Sequence, residues 1–457
     1  MAQESRRLGG VDMTTGDPFQ TLLRFSLPLI AGNALQQVYN MVDSSVAGNF
    51  IGMTAMSAVS NGFMIVMMIT ALFSGLSVGG TVLVARLFGR RDYEAIGRGV
   101  SAIYFGVAVL FLPLTLLGWF LAPALLSLFH IPPDVMPGAL TYVRVIFLGL
   151  LGSMGYNVNA GVLNGLGDSR VSLRFLAVSC VANGVMDVVF VAGFHWGVFG
   201  TAFATILAQF GSWLLGVRYI NRHYSFIHIG LPKRGVDTEF IRQALRIGVP
   251  SSITGLQYTV GMMMVQALVN TYDTEFIAGF SAGGKLDSFA FMAVNSFSSA
   301  MATYTAQNIG AERMDRVRSG TRVGMVLSTV VCLAMAAIFV PFGRPILRVL
   351  FGLTPAALDA AMAYIYRVTG PFFILGISYI ISGVLRGAGA VTVSTVSSII
   401  SLWGVRVPLA YYIAAHWGRE NLFLAYPIAW AVGLILSGVY YLSGRWKPKE
   451  KPRIESQ

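Results

Sequence analysis

The chain has 457 residues, 55% of them hydrophobic and only 11% charged, against roughly a quarter charged in an ordinary soluble domain. Water cannot be the solvent for most of this surface, and no soluble domain is left over once the apolar stretches are assigned. A formal charge of +12 does not point to nucleic acid, because the Lys and Arg sit in short clusters between apolar stretches and not along one polar face.

An apolar run of about 20 residues marks a membrane span, with Gly, Pro and charge as punctuation. Spans 1 to 6 are predicted at 19–49, 54–86, 95–121, 137–162, 170–193 and 197–220, and spans 7 to 12 at 239–270, 276–308, 317–341, 359–386, 391–416 and 420–442. The polar start from Met1 to Gly16 runs into span 1 without a small-residue cleavage site, so span 1 is expected to be retained. Several runs exceed the thickness of a bilayer core, which suits tilted helices lining a cavity.

Basic clusters orient the chain. Arg6, Arg7 and Arg24 precede or open span 1, Arg86, Arg90, Arg91 and Arg98 follow span 2, and Arg170 and Arg174 follow span 4. Others surround the central link, follow span 8 (Arg313, Arg316, Arg318, Arg322) and form the tail, whereas the connections after spans 1, 3 and 5 hold no Lys or Arg. Both termini are therefore expected on the cytoplasmic side. Arg344, Arg348 and Arg419 are the exceptions.

The halves repeat at an offset of 221 or 222. Arg24 to Pro28 matches Arg246 to Pro250, Tyr142 matches Tyr364, and Leu163-Asn-Gly-Leu-Gly167 matches Leu385-Arg-Gly-Ala-Gly389. With six spans in each unit, both copies enter the membrane from the same side. The expected fold is all-α and integral to the membrane: twelve transmembrane helices in two six-helix lobes related by a pseudo-two-fold axis along the membrane normal. The expected divisions are 1–220, a cytoplasmic linker at 221–238, 239–442 and a basic tail at 443–457.

An ionisable group inside a span costs roughly 2.5–3.5 kcal/mol at the helix centre on insertion scales, so each is a functional hypothesis. Asp43 on span 1 and Asp187 on span 5 are the clearest, the latter about 25 Å along its helix. Tyr39 precedes Asp43 by four residues, Asn183 precedes Asp187 by four, and Thr201, Thr205 and Gln209 form a stripe on span 6. Three helices are thus expected to converge on one hydrophilic pocket, where two close carboxylates hold one charge more easily than two. Such a pair suits a proton, or a Na⁺ with oxygen ligands drawn from Asp43, Asn183, Asp187 and Thr205. At the 222 offset Asp43 maps to Val265 and Asp187 to Leu409, so the architecture is duplicated and the acids are not. That asymmetry puts the cation site in the first lobe.

The second half offers Lys285 and Asp287 on span 8, two apart and so on different faces, and Arg406 on span 11; with Asn157, Gln257, Met64 and Met263 they are the candidates to line a substrate cavity, a structural role being the alternative for Lys285 and Asp287. Methionines recur on spans 2, 7 and 8, Met64 and Met263 among them, and adaptable Met surfaces suit a cavity that accepts many apolar shapes. Ordinary helix packing explains them at least as well. The histidines lack metal-ligand spacing, and Cys180 and Cys332 both lie inside apolar segments, so neither a metal centre nor a disulfide is implied.

These residues resemble the multidrug and toxic compound extrusion (MATE) family over nearly the whole chain. The marks are Pro28 to Asp43 continuing to Gly48, Leu163 to Asp168, Asn183 with Asp187, Gly197 to Thr205, Gly310-Ala311 and Leu385 to Gly389. The resemblance implies secondary active efflux of amphipathic, often cationic compounds by alternating access, driven by inward H⁺ or Na⁺. It implies no cofactor and no catalytic residue. In members with a first-lobe cation site the matching positions are Tyr39, Asp43, Asn183, Asp187 and Thr205, and all five residue types are in place. A family asparagine on span 4 corresponds to Asn157. Asn164 stands where an arginine is common, and spans 7 and 10 lack the acids of a subgroup with a second-lobe Na⁺ site, span 7 carrying Gln257 and Gln266 instead. Coupling is therefore placed in the first lobe. The expected setting is a monomer in a bacterial inner membrane, with small-molecule substrates and no nucleic acid. The alternative reading is a lipid or lipid-linked-oligosaccharide flippase of the same superfamily, which would more naturally line its cavity with arginines.

Overall fold

The computed structural model describes residues 11–128, 131–230 and 236–448, without the side chains at 68–74 and 76. Arg6, Arg7, the middle of the linker and the tail beyond 448 lie outside the described residues.

Among the described residues all regular structure is helical. In chain order the helices are α1 (Pro18–Phe50), α2 (Met53–Arg90), α3 (Tyr93–Leu128), α4 (Met136–Leu148), α5 (Leu150–Gly165), α6 (Ser169–Asp187) and α7 (Gly197–His223). They continue with α8 (Thr238–Val269), α9 (Thr274–Gly310), α10 (Met314–Phe351), α11 (Pro355–Val368), α12 (Phe372–Gly387), α13 (Val391–Ile399), α14 (Val407–His416) and α15 (Ala425–Leu442). Two π-helical segments, Val188–Gly193 after α6 and Ile400–Arg406 between α13 and α14, carry spans 5 and 11 onward.

Spans 4 and 10 depart from the straight runs predicted for them. Span 4 is α4 and α5, bent by 57° around Gly149, and span 10 is α11 and α12, bent by 49° around Gly370-Pro371. Glycine lowers the cost of the bend and proline removes a helix hydrogen bond, so both copies break at the same place in the fold. Among the described residues six helices, counted through their π segments, are long and apolar enough to cross a bilayer, and eight passages are when each bent pair is counted as one.

The surface is inverted relative to a water-soluble protein. Val109, Leu112, Leu117 and Phe120 on α3, Val178, Val181 and Val185 on α6, and Val326 and Val330 on α10 are all exposed, while Ser298, Gln307 and Asn308 are buried. Apolar side chains outward and hydrogen-bonded polar groups inward are what a lipid solvent requires. The chain is a multi-pass membrane protein.

By packing, the chain divides into two compact units: the first continues to Thr259, and the second takes Val260 onward together with Gly16–Leu22. That packing division lies within α8, and the linker expected at 221–238 lies between α7 and α8. Inside each unit, helices approach closely where glycine leaves room. A Cβ on Gly161 would sit 2.6 Å from Ser77 Oγ, and one on Gly383 2.4 Å from the Ser298 carbonyl oxygen. Gly165 lies against the Thr81 carbonyl and Gly387 against that of Ala302, the same pair of contacts 221 or 222 residues apart. Where the first copy has Asn164, Arg386 donates to Ser298 Oγ at 2.8 Å.

The turn between spans 4 and 5 is fixed by Asp168, which caps α6 by accepting from Val171 N (3.3 Å) and also accepts from Tyr224 OH (3.2 Å). Asp168→Ala is expected to cost about 1–2 kcal/mol through the lost cap, read as a lower thermal midpoint of detergent-purified protein. An unchanged midpoint would leave that turn held by packing alone. Two of the arginines that stood apart from the basic clusters are paired with acids: Arg344 with Asp359 and Arg419 with Asp273.

Candidate cation site

The first unit brings together the residues that the spacing pointed to. Tyr39 and Asp43 lie one turn apart on α1, as do Asn183 and Asp187 on α6 and Thr201 and Thr205 on α7; Gln209 is one turn beyond. The order α6, π segment, tight turn, α7 sets the last two pairs side by side. His195 and Gly197 take positive φ values of 56° and 60°. The π segment begins directly after Asp187, widening the helix at that point, and such segments are frequent at functional sites. Phe190, Trp196 and Phe203 pack together over the same turn, Phe190 stacked on Trp196 and Phe203 edge-on to Trp196.

At the centre stands Asn183, fully buried. Its amide is oriented by its neighbours: the nitrogen donates to Asp43 Oδ1 at 2.7 Å and to Asp187 Oδ2 at 3.2 Å, and the oxygen accepts from Thr205 N at 3.2 Å. Tyr39 OH donates to Thr205 Oγ1 at 3.2 Å, and Thr205 Oγ1 donates to the Thr201 carbonyl at 3.1 Å. Asp43 and Asp187 are 5% and 0% exposed, and their carboxyl groups lie within hydrogen-bonding reach of each other. Asp187 Oδ1 has no hydrogen-bond partner among the described residues. A carboxylate can be partnered by another carboxyl only if one of them carries a proton, and two ionised carboxylates this close and this dry repel strongly.

Tyr142 is the member that sequence reading missed. It is 2% exposed, packs among Ala47, Val59 and Ala202, and is close enough to Asp43 and Asp187 to interact with them electrostatically. Its signal was its match to Tyr364, read as a mark of the repeat and not as part of a site.

The cavity candidates are not gathered in the same way. Asn157 is exposed, with its amide spent on the Ser153 carbonyl of its own helix at 2.8 Å. The buried asparagine of span 4 is Asn159, which accepts from Tyr104 OH and donates to the Trp213 carbonyl. Met64, Gln257 and Met263 are half-buried. Lys285 is exposed, with Nζ 5.2 Å from the centre of the Phe351 ring, and does not meet Asp287. Asp287 is buried and accepts from Tyr364 OH at 3.1 Å and Thr369 Oγ1 at 3.3 Å. Arg406, 2% exposed, ends the second π segment. Among the described residues no three His, Cys, Asp or Glu side chains group as a metal centre.

The MatE family model matches residues 28–189 and again 250–412. The two matches open on Pro28 and Pro250, the prolines that mark the internal repeat, and cover well over half of the chain. The chain belongs to the MATE family. MATE proteins are transporters and not enzymes, and this one is 30% identical over 436 residues to the probable multidrug resistance protein YpnP of Bacillus subtilis (strain 168), covering 95% of this chain and 97% of that one. It is 26% identical to the probable multidrug resistance protein NorM of Thermotoga maritima, covering 94% and 93% of the two chains. Among solved structures, a MOP superfamily transporter from Pyrococcus furiosus superposes with a TM-score of 0.88 at 21% identity, over 96% of this chain and 99% of that one. An outward-facing multidrug resistance MATE family transporter gives 0.85 at 22% identity, over 95% and 97%. The MATE chain thus has the twelve-helix, two-lobe fold.

Proposed function

We propose that this protein is a secondary active multidrug efflux transporter that exchanges amphipathic, often cationic, organic compounds for an inward-moving cation bound in the first lobe. The observation that carries this reading is the buried Asp43–Asn183–Asp187 bridge on a chain whose relatives are named for multidrug resistance. With the Asn183 amide assigned nitrogen-inward, the orientation its hydrogen-bond partners favour, a proton fits the bridge, whereas Na⁺ takes the oxygen-inward assignment; we take H⁺ as the coupling ion and Na⁺ as the alternative.

Protonation removes a charge from the junction of α1 with α6 and α7. Span 1 has room to answer: Pro28 interrupts its hydrogen-bond ladder, and a cavity of about 160 Å³ beside it is lined by Gly32, Asn33, Gln36 and Ser169. Coupling requires that cation and drug favour different states, since a ligand that binds both equally shifts nothing. Both termini are placed in the cytoplasm of a bacterial cell whose inner membrane holds the protein. Gln257, Met64 and Met263 are proposed to line the drug path.

The test is ethidium or norfloxacin efflux from proteoliposomes under an imposed proton or sodium gradient. Wild type is expected to respond to a proton gradient, and Asn183→Leu, which cannot bridge the acids, to lose most of that response. Efflux driven only by sodium would reverse the choice of ion, and no drug movement under either gradient would overturn the efflux reading.

A further inference from the structure

We propose that the groove between α13 and α15 in the second unit binds an anionic glycerophospholipid, with the headgroup phosphate on Arg445 and the acyl chains along the apolar walls. This goes beyond drug efflux and does not depend on where the coupling ion binds.

The groove has a volume of about 540 Å³, within the range of about 300–1,000 Å³ in which small molecules are held. Val396 and Ile400 on one wall and Leu436 and Val439 on the other make its lining apolar, while Thr392 and Arg445 lie together at one end, where α13 begins and the chain leaves α15. From Thr392 to Ile400 the helix rises about 12 Å, so the groove runs from the end of span 12 towards the middle of the membrane. Val396, Ile400 and Val439 are exposed. On a chain whose solvent is lipid, such walls are covered by hydrocarbon, and the polar end selects the headgroup that comes with it.

An exchange of side chains between the two copies opens this groove. At the 222 offset the first copy has Phe175 where the second has Ser397, and Phe175 lies edge-on to Tyr219 with ring centres 5.7 Å apart. Tyr219 in turn stacks on His223, the match of Arg445. The second copy keeps the tyrosine as Tyr441 but stacks it on Trp446 instead, with ring centres 5.3 Å apart. A serine in place of a phenylalanine, and one tyrosine turned away, leave the second copy without the rings that meet in the first.

The turn that carries Arg445 is built and not a free tail. Gly444, with φ 70°, ends span 12 in the left-handed region. Trp446 is 5% exposed, and its Nε1 donates to the Tyr441 carbonyl at 2.7 Å. Arg445 is held between these two, and Lys447 folds back over the turn, its Nζ 3.2 Å from where a Cβ on Gly444 would be. Trp and Tyr at a helix end mark the level of the lipid headgroups. Among the described residues no carboxylate pairs with Arg445 or Lys447. Ala390 precedes α13 where the first copy has the capping Asp168, so no carboxylate of the helix itself neutralises this end. Two uncompensated cations favour a negative headgroup over a zwitterionic one, as basic pockets between membrane helices do.

Native mass spectrometry of the full chain in detergent, titrated with phosphatidylglycerol or with phosphatidylcholine of the same acyl chains, tests this. One phosphatidylglycerol is expected to be retained in preference, and Arg445→Gln to weaken its binding about fivefold. Ser397→Phe, which restores the ring of the first copy without changing any charge, is expected to abolish the preferred adduct. Arg318→Gln, a basic residue of α10 that does not line the groove, is expected to leave it unchanged. Weakening by Arg318→Gln as large as by Arg445→Gln would mean a general attraction of basic residues for anionic lipid and would overturn the proposal; this pair decides even where the phenylalanine variant does not fold. Equal retention of the two lipids would overturn it as well, as would no adduct on the wild-type chain because residues 449–457, a second copy or an organic compound takes the groove. No transport is measured, so failure here leaves the efflux reading untouched, and loss of efflux by first-lobe variants leaves this one untouched.

Discussion

Asp187→Asn is expected to reduce gradient-driven efflux by about 10- to 100-fold while leaving drug binding to detergent-purified protein within a few-fold of wild type. The size follows from the coupling free energies typical between two linked sites, about 1–3 kcal/mol. Asparagine keeps the shape and can still donate and accept, so Asn183 retains a partner and the local packing survives. What is lost is the group that takes up and gives back a proton. Asp43→Asn is expected to have a similar effect, and the double variant little more than either alone, because the two carboxyls bridged by Asn183 act as one unit and paired groups in contact are not additive. The measurement is initial efflux rate against the imposed gradient, with substrate binding by fluorescence quenching as the control for folding. Gradient-driven transport at the wild-type rate in both single variants would return the acids to a structural role. Two independent losses that sum would instead mean two separate sites.

Gly387→Ala is expected to lower the thermal midpoint of the protein more than the same change at Gly161, Gly165 or Gly383. Its new Cβ would stand 2.3 Å from the Ala302 carbonyl oxygen and 2.8 Å from Thr305 Cβ. No real contact is that short and the obstacle is backbone, so α9 and α12 must separate. Overpacking of this kind costs about 1–3 kcal/mol, and the Arg386–Ser298 hydrogen bond sits in the same contact. Gly165→Ala, the equivalent position in the first copy, meets the Thr81 carbonyl only at 2.8 Å and is expected to be the milder change. Gly255→Ala is the control, since nothing lies within 4 Å of its new Cβ and alanine favours the helix. Melting curves followed by size-exclusion recovery would rank the three; a Gly387 variant as stable as wild type would show that the two helices are not held by this contact.

The asymmetry between the two halves has a physical meaning. Duplication preserved what packs: the prolines at 28 and 250, the breaks in spans 4 and 10, and the glycines under Tyr142 and Tyr364. It did not preserve the acids at membrane depth. A carboxylate at membrane depth is costly enough that it persists only where it has partners, and the partners differ: an asparagine bridge in the first unit, the hydroxyls of Tyr364 and Thr369 in the second.

The twelve spans, the internal repeat and the family were legible in the linear chain because hydropathy, proline and basic clusters are local properties. Asp43, Asp187 and their one-turn neighbours could be named for the same reason, since an ionisable residue within an apolar run is an anomaly in sequence before it is a site in space. Which groups touch was decided only by the tertiary structure. Helical periodicity says that Asn183 shares a face with Asp187, but not that its amide reaches across to Asp43 on a helix 140 residues earlier. It says that Lys285 and Asp287 point apart, but not that one lies over Phe351 while the other is buried against Tyr364. Those outcomes depend on how each helix is rotated and bent against its neighbours, and that is set by where glycine permits close approach and where proline or a π segment breaks the ladder. No local pattern contains that information, because each contact is made by residues scores of positions apart.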